Sequence, residues 1–84
     1  MSLFTCYILK SLKTGKYYVG HTNNLVRRFS EHNSGQTKST KSGIPWEIVF
    51  TKEFETNSEA AAFENYIKKM KSRKFIENLI AGVR

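Results

Sequence analysis

Hydrophobic spacing changes along the chain, and each change predicts an element. Residues 3–9 (LFTCYIL) are apolar or small on both faces, as in a central strand. Lys13-Thr14-Gly15 reads as a turn, and residues 16–21 (KYYVGH) return as a second strand of a β-hairpin. Asn23 suits the cap of a helix that runs to about His32, with Asn33-Ser34-Gly35 as its stop. Residues 36–43 (QTKSTKSG) are polar and basic, which predicts a loop. Residues 46–54 (WEIVFTKEF) then set Trp46, Ile48 and Phe50 against Glu47, Val49 and Thr51, a third strand with one wetter face. Thr56-Asn57-Ser58-Glu59 matches a capping box, and Phe63, Tyr66, Ile67 and Met70 give the following helix a core-facing stripe. A last helix over residues 73–81 is expected to bury Phe75, Ile76, Leu79 and Ile80. The predicted fold is α/β (α+β): a small three-stranded antiparallel sheet flanked by helices, in the order β-β-α-β-α-α.

Composition narrows the function. At 84 residues the chain has material for one core, so residues 1–84 are read as a single domain. Fourteen Lys and Arg against seven acidic residues leave a formal charge of +7, which points to a polyanion, nucleic acid first. All seven acids are Glu. The absence of Asp argues against Asp-rich two-metal sites, and it excludes a Ser-His-Asp triad. A single cysteine, Cys6, excludes an internal disulfide and a cysteine zinc cluster. No apolar run approaches the roughly 20 residues of a membrane span, and the N-terminus lacks a secretory pattern, so a reduced cytoplasmic setting without membrane contact is expected.

Few residues are left to carry chemistry. Cys6 lies in an apolar run, where burial raises a thiol pKa, so it is read as packing and not as the nucleophile of a Cys-His pair. The Tyr18-Val19-Gly20-His21-Thr22 segment lacks the glycines of a phosphate loop. Arg28 and His32 are one turn apart on the first helix and share a face; taken alone, this is a solvated helix surface. Tyr7 and Tyr18 sit on the paired strands near the start of that helix. Tyr17, Tyr66 and Trp46 are read as packing, and His21 as a loop histidine beside the motif.

Thr5-Cys6-Tyr7-Ile8 together with Tyr18-Val19-Gly20 resembles the paired motif of the GIY-YIG nuclease superfamily. Arg28, His32 and Glu64, the last within AAFENYIK, match that family's arginine, helix histidine and later glutamate. The resemblance covers essentially the whole chain and is closest to the family's small stand-alone group, which shares its domain with the excision-repair nuclease and homing endonucleases. Cys6 stands for the motif's first glycine and Val19 for its second isoleucine. Thr40-Lys41 stands where relatives often have Thr-Arg, and lysine keeps the charge without the bidentate fork.

The resemblance implies an endonuclease dependent on Mg²⁺ or Mn²⁺, with structured or damaged DNA as substrate and DNA repair as its setting. Glu64 is implied as the metal ligand, which suits an ion that keeps most of its waters. Arg28 would hold the scissile phosphate, and His32 would donate to a phosphate oxygen or relay a proton. Tyr18 or Tyr7 would be the general base; the family favours Tyr18, with Tyr7 positioning. Gly20 and Asn78 are implied as supporting residues. Lys38, Lys41, Lys69 and Lys71, with Lys68, Arg73 and Lys74, would attract the nucleic-acid backbone without reading sequence. No room remains for a targeting domain, so targeting would fall to DNA structure or to a partner protein. The alternative is a catalytically idle basic nucleic-acid-binding module on the same fold.

The resemblance also makes a geometric demand. Tyr7, Tyr18, Arg28, His32 and Glu64 are expected on one open concave surface. Directly paired residues share a face, so both tyrosines do so only if paired residue numbers have an odd sum. A loop over residues 12–15, pairing Ser11 with Lys16, meets this; a loop over residues 13–15, pairing Leu12 with Lys16, does not. Turn chemistry favours the shorter loop. The resemblance favours the odd register, and that register is expected.

Overall fold

The structure, a computed structural model, describes residues 3–82. Strands β1 (Phe4–Ser11), β2 (Tyr17–Thr22) and β3 (Trp46–Phe54) and helices α1 (Leu25–Ser34), α2 (Asn57–Met70) and α3 (Arg73–Ala81) follow in the order β-β-α-β-α-α, with a 3-10 turn at Lys41–Gly43. The sheet is antiparallel in the order β2-β1-β3. β1 takes the centre because it is apolar on both faces, and every residue from Thr5 to Leu9 is buried.

The hairpin takes the odd register: Tyr7 pairs with Gly20, Ile8 with Val19 and Leu9 with Tyr18. The Ser11 amide donates to the Lys16 carbonyl at 2.9 Å, and Gly15 occupies the left-handed position at φ 77°. Ser11 explains why the longer loop wins. Its buried hydroxyl oxygen accepts from the amides of Lys13 (3.2 Å) and Thr14 (2.9 Å) and donates to the Gly43 carbonyl at 2.6 Å. Those bonds satisfy amides that a shorter turn would have served from its own backbone.

β3 departs from simple alternation. Ile8 pairs with Phe50 but Leu9 with Ile48, so Val49 is an extra residue in a β-bulge. The bulge sends Trp46 and Phe50 to opposite faces, although the alternation put them on one. Trp46 joins Tyr7 and Leu9 beneath α1, with Tyr18, Leu25, Phe29 and Ile44 around them. Phe50 joins Cys6, Ile8, Val19 and Ile67 beneath α2 and α3. Two small cores result, one on each face of the sheet.

The helix ends follow local chemistry, with small corrections. Asn24, not Asn23, caps α1, accepting the Arg27 amide at 3.1 Å, and the helix continues to Ser34 before Gly35 ends it at φ 83°. Asn33 is held helical because its side-chain amide spans the backbone of Trp46, donating to the carbonyl at 3.1 Å and accepting the amide at 2.6 Å. The Thr56–Glu59 capping box forms as expected. Within α2 the buried line is Ala60 and Ile67, whereas Tyr66 and Met70 are half exposed. The inner face is therefore rotated from the expected stripe, and it carries Glu64 against the sheet.

Candidate active site

The odd register sorts β2 by parity. Tyr18 and Gly20 face α1; Val19 and His21 face α2. Gly20 lies opposite Tyr7, and a Cβ there would stand 2.6 Å from Tyr7 Oη and 2.8 Å from Cζ. Only glycine lets the Tyr7 ring lie across β2. With that space free, Tyr7 Oη reaches Nε2 of His32 at 2.9 Å, and His32 Nδ1 meets Thr40 Oγ1 at 2.8 Å. The Thr40 hydroxyl donates onward to the Thr37 carbonyl at 3.3 Å. A tautomer in which His32 donates from Nδ1 to Thr40 and accepts at Nε2 from the Tyr7 hydroxyl satisfies every partner in this chain.

This network is closed. Tyr7 is 1% exposed, and His32 and Thr40 are 0% exposed. Burial, then the neighbouring Tyr18, pushes the Tyr7 phenol up to about 12, with a hydrogen bond from Arg28 and then its charge opposing. Burial, then the Arg28 charge, holds His32 below the usual histidine range. Both groups are neutral at physiological pH. His32 therefore cannot touch a phosphate itself, as the expectation had it; it braces Tyr7. Tyr18 is half-buried and packs against the Tyr7 and His32 rings, with centroids 6.5 Å and 4.9 Å away. Arg28, with its side chain one-third exposed, binds Glu31 at 3.0 Å, and its charge acts on both tyrosines.

Glu64 stands on the other face. Its Oε1 is 2.6 Å from His21 Nδ1, and Lys68 Nζ donates to its Oε2 at 2.6 Å. Burial raises its pKa, but the bonds from Lys68 and His21 outweigh burial and hold the carboxyl below its ordinary value. The five expected residues thus do not share one face. β2 separates Glu64 from the Tyr7–Tyr18–Arg28–His32 group, because α2 packs on the opposite side of the sheet. β2 is nevertheless the edge strand, and the Glu64 charge still bears on Tyr7.

Grooves flank the edge on both sides. One, of about 470 Å³, has a floor of Tyr17, Val19, Ile67 and Ile76 and a rim of Lys16, Lys68, Lys71 and Arg73. The other, of about 200 Å³, lies between Tyr18, Trp46 and the Ser39–Gly43 loop. Lys38, Lys41 and Lys69 are exposed; Lys71 ends α2 at φ 47°. Asn78 is exposed on α3 and, among the described residues, makes no side-chain hydrogen bond.

Comparison with known proteins decides the family. The GIY-YIG catalytic domain matches residues 3–78. The chain belongs to the GIY-YIG family. It is 39% identical to UPF0213 protein YazA of Bacillus subtilis over 81% of this chain and 69% of that protein. It is 42% identical to UPF0213 protein lmo0166 of Listeria monocytogenes over 81% of this chain and 74% of that one. The solution NMR structure of UPF0213 protein BH0048 from Bacillus halodurans superimposes with a TM-score of 0.60 at 34% identity, covering 94% of this chain and 83% of that one. Membership in a nuclease superfamily implies nucleic-acid binding, in keeping with the charge of +7. Among the described residues, no helix is long and apolar enough to cross a membrane.

The family's motif takes its variant residues without disturbance here. Cys6, where the first glycine is usual, is fully buried among Ile8, Val19 and Ile67, on the face away from the tyrosines. Burial, then the Glu64 charge, pushes its thiol up to about 11, so it is a packing residue. His21, expected as a loop histidine beside the motif, is a strand residue bound to Glu64. Strand parity was the signal that could have found it: the odd register that joins Tyr7 to Tyr18 turns His21 toward α2.

Proposed function

We propose that this GIY-YIG protein is a divalent-metal-dependent endonuclease hydrolysing phosphodiester bonds, with structured or damaged DNA as its substrate class. The observation that carries this reading is the distribution of charge around the β2 edge. Arg28 and the half-open Tyr18 lie on one side, an ionised Glu64 on the other, and a basic groove runs along the same edge. A phosphodiester laid across the edge meets the cationic fork from one side and the carboxylate from the other.

The Arg28 guanidinium offers planar paired donors to the phosphate oxygens, and its charge opposes the negative charge that builds there. In this reading Tyr18 is the general base toward water. A free phenol loses its proton near pH 10, so a phenolate base carries a cost of about 4 kcal/mol at neutral pH. Tyr7, buried and bonded to His32, takes the positioning role in this reading: it fixes where Tyr18 and Arg28 stand. Glu64 supplies hard carboxylate oxygen kept ionised by its neighbours, which fits Mg²⁺ or Mn²⁺. Among the described residues no three His, Cys, Asp or Glu side chains are grouped to hold a metal, so waters and substrate oxygens must complete the shell. A bound ion supplies charge neutralisation and a more acidic water.

The test is a cleavage assay over a panel of flap, junction, duplex and single-stranded DNAs and RNAs, with Mg²⁺ and with Mn²⁺, and Glu64→Ala as control. Glu64-dependent cleavage of a structured DNA supports the reading. Binding without any Glu64-dependent cleavage transfers the assignment to an idle binding module that draws targeting from a partner protein.

A further inference from the structure

In the free protein both Glu64 oxygens are taken: Oε1 by His21 and Oε2 by Lys68, each at 2.6 Å. The two partners differ in freedom. His21 is a strand residue with 28% of its side chain exposed; Lys68 is a flexible chain on the α2 surface, 51% exposed. Lys68 also lines the basic groove, where Lys16 and Lys71 make no ion pair among the described residues and Arg73 is committed to Glu77 and the Gly15 carbonyl. One ammonium therefore stands between a carboxylate and a groove suited to a polyanion.

We infer that Lys68 is an exchangeable counter-ion: a nucleic-acid phosphate in the groove draws the ammonium away, and Oε2 of Glu64 is freed for a divalent cation. This rests on the metal-site reading above. The exchange needs one side-chain rotation and no backbone movement, because His21 holds Oε1 throughout. The carboxylate is kept neutralised until substrate arrives, and metal and substrate binding become mutually favourable. Reciprocity requires each to tighten the other by the same factor.

The experiment follows Mn²⁺ at this one place by paramagnetic broadening of the Ile67 methyl signals, in the Tyr18→Phe background so that DNA stays intact. Without DNA, Lys68→Met is expected to bind Mn²⁺ about tenfold tighter than the parent, within the usual range of a coupling between sites. A short DNA duplex is expected to tighten Mn²⁺ binding to the parent and to Lys68→Arg, and to leave Lys68→Met nearly unchanged. Glu64→Gln should abolish the local broadening, with the fold of each variant checked by amide shifts. Equal Mn²⁺ affinity in the parent and Lys68→Met, or equal tightening by DNA in both, overturns the exchange and leaves the metal site standing. Broadening that is absent, or that persists in Glu64→Gln, overturns the metal site and the exchange together.

Discussion

On the α1 face, Tyr7, His32 and Thr40 are sealed from water, neutral, and satisfied by a chain of hydrogen bonds. On the α2 face, Glu64 and Lys68 carry charge, His21 bonds the carboxylate, and all three remain partly open to solvent. The contrast separates two uses of polar residues in a small domain. A sealed neutral network has one satisfied arrangement, and breaking it strands a buried donor or acceptor, so it gives rigidity. An open ionic chain contributes little to stability, because water can replace either partner, and for that reason it can exchange partners. The edge strand β2 holds one group on each face, so a site can be rigid beside Arg28 and adaptable beside Glu64.

Substitutions on the two faces should therefore fail differently. Glu64→Ala is expected to lower cleavage by about a thousandfold or more, the loss of several kcal/mol of transition-state stabilisation. Its melting temperature should barely move, and DNA affinity should hold or rise slightly as Lys68 is released; single-turnover assays, thermal melts and fluorescence anisotropy check the three readouts. His32→Ala is expected to do the reverse, costing about 3 kcal/mol of folding stability from a cavity and two lost hydrogen bonds. Urea titration measures that cost. A stable His32→Ala protein would mean that the sealed network is not what holds Tyr7.

Tyr7→Phe sharpens the same point, because it removes only a hydroxyl and leaves His32 Nε2 unpaired. About 1–2 kcal/mol of stability should be lost, whereas Tyr18→Phe should keep the fold and lose cleavage. Swapped outcomes would make Tyr7 the base.

Acid should distinguish the faces as well. The folded His32 binds its proton less readily than the unfolded chain, whose histidine titrates near the ordinary 6.5. Its contribution is thus complete above that value and falls as pH drops below it. Glu64, also depressed, contributes down to its ordinary value near 4.5 and loses its contribution only below that. Urea midpoints should decline from about pH 6.5 downward, and His32→Gln should flatten that first decline. The smallest effect is expected from Lys69 and Lys71: neutralising both should reduce the salt slope of DNA binding by roughly one to two units, equally for all sequences.

The odd hairpin register came from the family resemblance against local turn chemistry, and it is secured by Ser11 bonding Gly43, 32 positions away. Element order and the capping box were legible because each depends on residues near one another in the chain. The residues of the family motif were legible for the same reason, as side chains at fixed spacings on short elements. Their grouping was not. The bulge at Val49 arises where β3 must set Trp46 beneath α1 and Phe50 beneath α2, a demand made by two separate cores. The rotation of α2 that turns Ala60, Glu64 and Ile67 inward and leaves Tyr66 half exposed is settled by the sheet and by α3, whose Phe75 meets Tyr66 edge-on at 5.5 Å.

What the chain's residues determine unaided is therefore the inventory: a basic GIY-YIG domain with two motif tyrosines, one arginine, one glutamate, and a glycine where a ring must pass. Tertiary structure alone decides which of them touch. It buries His32 against Tyr7, pairs His21 with Glu64, and sets Glu64 and Arg28 on opposite faces of the sheet. The physical reason is that hydrogen bonds and burial depend on which surfaces pack together. Residues 25 and 43 positions apart in sequence, such as Tyr7 with His32 and His21 with Glu64, meet only once both faces of the sheet are covered.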